Sequence, residues 1–471
     1  MKYLFYLLLL TAPQLNWGQT ELKNNEGVTK SFIKYYNEDD YQAIFDDFNK
    51  EMQAALPLSK ASNFLQNLKK QVGNIVDYNF IQYKNGYASY KTNFAQMTLT
   101  LNVAVDEESK ISGLYIQPFE DQDANADVLN KLDSEKLGID EELSNLIFEN
   151  IKSFPSQTQA SIAIIQNGKP LYLNIQKLND SIIQNQDYLG VYEIGSISKI
   201  FTSTLLAHEV NQNKLNLNDP IHKILDIDLK DNINISLKSL SNHSSGLPRL
   251  PINLELDKAN PANPYKDYNE EKLIRYLKDS LSLHNAGTYQ YSNLGAGLLG
   301  YILSKNEHDS YENILQRYIF EPLNMTHTTT NRGQIENELI IGLNADGDPT
   351  PPWDFNILAG AGAIYSNIED LTKFALAHMD KDQEDLNLTR AETMMVDEGM
   401  SLGLGWHILK SPSNNNWYWH NGATGGYTSI FVMDVNTRNG VIILSNVSAF
   451  NSDMGKIDLL GFKLMEKIDL H

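Results

Sequence analysis

The 471-residue chain has no cysteine. That excludes disulfides, thiol nucleophiles, cysteine-ligated metals and a cysteine-borne lipid anchor. Positive charge is also scarce: 38 lysines and arginines face 59 aspartates and glutamates, a formal net charge of −21. Nucleic-acid binding needs a basic footprint, and docking to anionic lipid needs a polybasic patch, so neither partner fits. Beyond residue 12 no apolar run approaches the roughly 20 residues that span a bilayer as a helix. The chain also lacks His-Glu-x-x-His and Gly-x-Ser-x-Gly, and its histidines are scattered. No metal and no cofactor is expected, and an α/β-hydrolase elbow is excluded.

What is present is an ordinary globular composition, 42% hydrophobic and 10% aromatic, long enough for two domains. Residues 1–18 read as a signal peptide: Lys2 supplies charge, residues 3–12 form a short apolar core, and Gly18 marks a cleavage point before Gln19. The expectation is an exported protein, periplasmic or extracellular, with no stable membrane insertion after cleavage. Residues 20–117 read as a small α+β domain. Phe32, Tyr36, Ile44, Phe48 and Met52 fall at helical spacing, as do Phe64, Leu65, Leu68 and Val72. Alternating runs at 81–83, 88–90, 97–105 and 111–116 read as antiparallel strands, with a turn at Lys84-Asn85-Gly86. This layout resembles the nuclear-transport-factor-like cone, and an accessory role is expected. Residues 118–137 are acidic and polar and read as a linker. Residues 138–471 form the second domain. Strand-like runs flank its ends (160–165, 171–175, 404–409, 428–434, 440–446) and helices fill the middle. That order implies one antiparallel sheet covered by helices beside a mostly helical lobe, with a cleft between them.

The chemistry concentrates in this second domain. Ser196 and Lys199 lie three residues apart in Glu193-Ile194-Gly195-Ser196-Ile197-Ser198-Lys199. On a helix they share one face, so the lysine can reach a hydroxyl that is a poor nucleophile until its proton is removed. Gly195 allows a tight turn into the helix, and Ser196 then sits at the positive end of its dipole. The spacing alone is common, since Ser31 and Lys34 share it. A proton relay is expected from Tyr291 in Gly287-Thr288-Tyr289-Gln290-Tyr291-Ser292-Asn293. A lysine ammonium beside the phenol should lower its pKa, and Asn293 can orient the lysine or a substrate carbonyl. Tyr365, behind Gly360-Ala361-Gly362-Ala363, is the rival tyrosine. The third piece is His420-Asn421-Gly422-Ala423-Thr424, read as a strand start that presents a side chain and backbone N–H groups at the cleft edge. Gly295-Ala296-Gly297-Leu298-Leu299-Gly300 has dinucleotide-like glycines but no preceding strand, and reads as helix packing.

In this order the motifs resemble those of the penicillin-recognising serine hydrolases, in the branch of class C beta-lactamases and serine D-Ala-D-Ala carboxypeptidases. Further segments fit: Leu240-Ser241-Asn242-His243-Ser244-Ser245-Gly246-Leu247-Pro248, Leu215-Asn216-Leu217-Asn218-Asp219-Pro220, Glu321-Pro322-Leu323-Asn324-Met325 and Gly403-Leu404-Gly405-Trp406. The resemblance covers about 330 residues and implies a beta-lactamase-like α+β fold. It implies that Ser196 is the acylated nucleophile, that Lys199 and Tyr291 share the base role, and that Asn293, His420 and Gly422 orient substrate. The backbone N–H groups of Ser196 and Ala423 correspond to the oxyanion hole. His420 stands where true class C beta-lactamases carry lysine. Histidine there occurs in carboxypeptidase, D-aminopeptidase and esterase relatives, and holds a substrate carboxylate less firmly. The expected function is an exported serine hydrolase acting on a D-amino-acid peptide or small ester. The alternatives are a beta-lactamase proper or a non-turnover penicillin-binding sensor. The expected partner is a small-molecule or peptide substrate, and no oligomeric state follows from the residues.

Overall fold

A computed structural model of the chain describes residues 23–84, 86–119, 128–255 and 259–469. The signal-peptide stretch, Asn85 of the expected turn and most of the acidic stretch (120–127) lie outside the described residues. The chain forms two compact units, residues 1–126 and 127–471.

In the first unit four helices, Lys23–Asn37, Tyr41–Asp46, Lys50–Ala55 and Leu58–Val72, precede an antiparallel sheet. The Asp40 and Asn49 side chains accept from the backbone N–H groups of Ala43 and Met52, capping the second and third helices. The strands Ile75–Lys84, Tyr87–Phe94, Thr98–Val105 and Ile111–Pro118 pair in sequence order. Phe32, Tyr36, Ile44, Leu65 and Leu68 pack against Tyr90, Leu101 and Val103 as one core. The first strand begins six residues before the expected run, because Asp77 and Asn79 face solvent on an edge and break the apolar pattern.

The second unit is built on a ten-stranded sheet. Its order is Met394–Met395, Met400–Leu402, His407–Lys410, Asn416–Ala423, Thr428–Asp434, Asn439–Ser445, Gln159–Gln166, Lys169–Leu178, Ser181–Asn185 and Leu129–Asn130. All neighbours are antiparallel except the last pair. Strands from the early and late parts of this unit meet at the centre, where Gly440 pairs with Ile165 and Ser445 with Ala160. Leu129 and Asn130 pair with Ser181 and Ile182, so residues 128–137 belong to this unit and not to a linker. Leu137 is buried there.

Period-two patterning buries both faces of the sheet. Ile162, Ile164, Ile430, Val432, Val441 and Ile443 pack with Leu460 and Leu464 of the last helix, Gly455–Asp469. The alternate residues Ala163, Ile165, Phe431, Met433, Ile442 and Leu444 pack with Ile200, Phe201 and the helical lobe. The glycine-rich run lies in helix Asn293–Glu307, as helix packing requires: a Cβ on Gly297 would strike Leu358, and one on Gly300 would strike Gly360. No helix of the described residues is long and apolar enough to cross a membrane.

Candidate active site

Ser196 sits in a single 3₁₀ turn, Gly195–Ile197, which runs directly into helix Ser198–Asn211. The turn needs Gly195, whose φ is +51° and on which a Cβ would lie only 2.7 Å from the backbone nitrogen of Ala423. Ser196 is partly exposed, whereas Lys199 is buried. Lys199 Nζ donates to Ser196 Oγ at 2.9 Å and to the Ala361 carbonyl at 2.6 Å. The Gly-Ala run in front of Tyr365 therefore serves the lysine through its backbone. Tyr365 packs in an apolar cluster with Val191, Ile335 and Leu339.

Tyr291 faces the same serine. It is partly exposed, its hydroxyl is buried, and its ring centre lies 5.1 Å from Lys199 Nζ. Burial raises its pKa well above the ordinary tyrosine value, and the neighbouring Ser196 hydroxyl and the charge of Arg249 offset only part of that rise. The lowered pKa expected from a neighbouring ammonium is thus corrected: desolvation of the phenolate outweighs the cations around it. The segment carrying Tyr291 is held by His243, whose Nδ1 accepts from the Ser292 N–H at 3.2 Å and whose ring lies 4.4 Å from that of Tyr291. Ser292 Oγ in turn donates to the Pro248 carbonyl and accepts the Gly295 N–H, which starts the following helix. Asn293 is buried; its Nδ2 donates to the Tyr265 hydroxyl at 3.2 Å, while Oδ1 has no hydrogen-bond partner among the described residues.

His420 lies inside strand Asn416–Ala423 and not at a strand start; the aromatic residues before it pair in register with 407–410. It is fully buried. Its Nδ1 stands 2.6 Å from the Asn421 carbonyl, which can only accept, so Nδ1 carries the proton. Nε2 is then a lone-pair acceptor with no partner among the described residues. Burial first, then the charges of His407 and Lys199, hold its pKa well below the ordinary histidine range. His420 is a neutral group at this site, lacking the fixed charge of a lysine.

The backbone around Ala423 is set by pairing. Thr424 N–H donates to the Tyr427 carbonyl at 2.8 Å, closing the hairpin. Ala423, one residue earlier and opposite Thr428, occupies the non-hydrogen-bonded position, so its N–H points away from that partner and toward the Gly195 turn. Gly422 is where the strand touches the segment leading into the Ser196 turn: a Cβ there would lie 2.0 Å from the Ile194 carbonyl oxygen. Ser429 Oγ donates to that same carbonyl at 2.9 Å. Glu193, which sequence reasoning passed over, ties two loops to this frame. Its carboxyl accepts from Thr424 Oγ1 at 2.6 Å and from the Trp353 N–H at 2.7 Å. Burial pushes its pKa up to about 8, against partial offset from those two donors.

The structure thus brings together Ser196, Lys199, Tyr291, Asn293, His420, Gly422 and Ala423. A family described as Beta-lactamase matches residues 150–464, and one described as a protein of unknown function (DUF3887) matches residues 29–114. A beta-lactamase of Pseudomonas fluorescens is 28% identical over 261 residues, spanning 54% of this chain and 70% of that protein. A putative penicillin-binding protein, PbpX, of Bacillus subtilis is 25% identical over 289 residues, 60% of this chain and 69% of that one. Among solved structures, an octameric penicillin-binding protein homologue from Pyrococcus abyssi superposes with a TM-score of 0.57 at 24% identity, covering 68% of this chain and 76% of that one. A beta-lactamase/D-alanine carboxypeptidase from Pseudomonas syringae gives 0.57 at 22% identity, covering 68% and 99%. At those identities the structural likeness speaks for the fold. With the family match covering the second unit almost end to end, the chain belongs to the beta-lactamase family of serine hydrolases.

Proposed function

We propose that this chain hydrolyses a small ester or a D-amino-acid peptide through an acyl-enzyme on Ser196. The observation that carries this reading is the 2.9 Å approach of Lys199 Nζ to Ser196 Oγ, with the Tyr291 ring centre 5.1 Å from the same nitrogen. Ser196 Oγ attacks the acyl carbon as Lys199, acting in its neutral amine form, takes the serine proton at Nζ and then replaces the proton that Tyr291 gives to the leaving group. The N–H groups of Ser196 and Ala423 receive the developing oxyanion, an effect of about 3–4 kcal/mol per donor. Tyr291 is protonated in the free enzyme, so it serves as the acid that delivers a proton to the leaving group as that bond breaks. Water then repeats the sequence on the ester of Ser196, releasing the acid and restoring the hydroxyl. The unpartnered Oδ1 of Asn293 is an acceptor for an N–H of the bound acyl group.

Neutral His420 supports the ester or peptide reading over efficient beta-lactam hydrolysis, because no fixed charge stands at the lysine position. A steady-state panel of an aryl ester, a D-Ala-D-Ala peptide and a penicillin tests this. Turnover of the first or second with slow release of the third is expected; a penicillin hydrolysed fastest of the three would overturn it. We also propose export, with the first unit as an accessory module. N-terminal sequencing of protein recovered outside the cytoplasm should begin near Gln19, and recovery of intact Met1 there would contradict cleavage.

A further inference from the structure

We propose that Glu193 is a positioning residue for the oxyanion hole: as the neutral acid it locks the Ala423 strand to the turn that carries Ser196. The inference rests on the serine-hydrolase reading above and names a control on that same site. Glu193 lies in the short strand Tyr192–Glu193, three residues before Ser196, and pairs with Tyr365. It is 3% exposed. One carboxyl oxygen accepts from Thr424 Oγ1 at 2.6 Å and the other from the Trp353 N–H at 2.7 Å. Thr424 follows Ala423 directly and is fully buried. Its backbone is held on both sides: its N–H donates to the Tyr427 carbonyl at 2.8 Å, and its carbonyl accepts from the Ala449 N–H at 2.9 Å. The carboxyl is therefore a side-chain link between the strand that supplies the Ala423 N–H and the segment that leads into Ser196.

The charge on that carboxyl governs what the link does. A carboxylate taken out of water without a paired cation is unfavourable, and it takes up a proton instead. The cation felt by Glu193 is Arg332, which is itself paired to Asp354 at 3.7 Å, and Asp354 acts against it. The phenols of Tyr365 and Tyr427 also face Glu193; burial first, then the carboxyl itself, hold both above the ordinary tyrosine range, and neither supplies a positive charge. An ionised Glu193, hydrogen-bonded to the residue after Ala423, would set one negative charge near another as the oxyanion forms. In a water-poor site like charges repel strongly. The N–H groups of Ser196 and Ala423 stabilise the oxyanion best when no fixed charge opposes it. Acylation is thereby tied to the acid form of Glu193, and loss of its proton near pH 8 weakens the oxyanion site.

Hydrolysis of an aryl ester by wild type and by Glu193→Gln, which stays uncharged at every pH, tests this. Each protein is held at about pH 7 and mixed into the assay pH by stopped flow, so that every rate belongs to the folded chain. The quantity read is the ratio of kcat/KM, variant over wild type. Titration of Lys199 or of the ester cancels in it. The ratio should rise about tenfold between about pH 7 and 9, as the acid form of the wild type is lost. A carboxyl with a merely structural role would give a ratio flat with pH. Thr424→Val gives a second readout that does not depend on the folding of Glu193→Gln. It removes a donor that lowers the Glu193 pKa, so its ratio to wild type should also rise above about pH 8. Ratios flat with pH overturn the proposal. Labelling of wild-type Ser196 by a fluorophosphonate separates the two readings. An unlabelled protein inert toward the ester overturns the serine-hydrolase reading and this one with it. A labelled, active protein with flat ratios overturns the role of Glu193 alone.

Discussion

The side-chain nitrogen of Lys199 stands 2.9 Å from the hydroxyl oxygen of Ser196, one turn along a continuous helical segment. The Tyr291 ring centre lies 5.1 Å from the same nitrogen, and we propose that the three groups handle the proton as one unit. Lys199→Met and Tyr291→Phe should each slow acylation by about 10²–10⁴-fold. The double variant should lose far less than the product of the two. Stopped-flow acylation by an aryl ester measures both; multiplicative losses would show that the groups act separately.

Tyr365 follows a glycine-rich turn and precedes an asparagine by two, as Tyr291 does, yet it packs beside Val191, Ile335 and Leu339. Tyr365→Phe should change the acylation rate by no more than roughly twofold. A loss comparable to that of Tyr291→Phe in the same assay would move the relay to the other tyrosine.

The contact between Gly422 and Ile194 leaves no space for a methyl group, since a Cβ would lie 2.0 Å from the carbonyl oxygen and 2.5 Å from Ser429 Oγ. Gly422→Ala should therefore push the strand off the turn that carries Ser196. It should cost about 1–3 kcal/mol of stability, the usual range for overpacking, and slow acylation as the Ala423 N–H moves. Urea denaturation and ester kinetics on one preparation check the pair. A variant as stable and as fast as wild type would mean the contact is slack.

Glu193 has its pKa raised from 4.5 to about 8 by burial. Between those values the folded chain holds a proton that the unfolded chain has released. Stability from this group is therefore fully present below about pH 4.5, declines as pH rises, and levels off above about 8. Glu193→Gln keeps a carbonyl acceptor for Thr424 and Trp353 but cannot ionise, so it should flatten this decline. Urea midpoints measured across that range would show identical slopes for both proteins if the carboxyl were ionised in the fold.

Much of this site was legible in the chain because its chemistry depends on short spacings. Ser196 and Lys199 are local to one turn, and Gly195 signals that turn by itself. The sheet was legible because its strands are continuous apolar runs at both ends of the second unit. What escaped depends on contacts between distant segments. Ala361 meets Lys199 through its backbone carbonyl, which no side-chain pattern reports. His243 holds Ser292, the neighbour of Tyr291, from 49 positions away through a single backbone N–H. The strand carrying His420 was read short because Asn414, Asn415 and Asn416 look like loop, although Trp417 and Trp419 alternate beyond them. The pKa of Tyr291 and the neutrality of His420 follow from burial, which is a property of the fold and not of the neighbours in sequence.

The central claim is that Ser196 is the nucleophile, and covalent labelling tests it most directly. Intact mass after reaction with a fluorophosphonate, followed by peptide mapping, should show a single adduct on Ser196 and none in a folded Ser196→Ala variant. An adduct that persists in that variant, or wild-type protein that turns over ester without labelling at Ser196, would contradict the account.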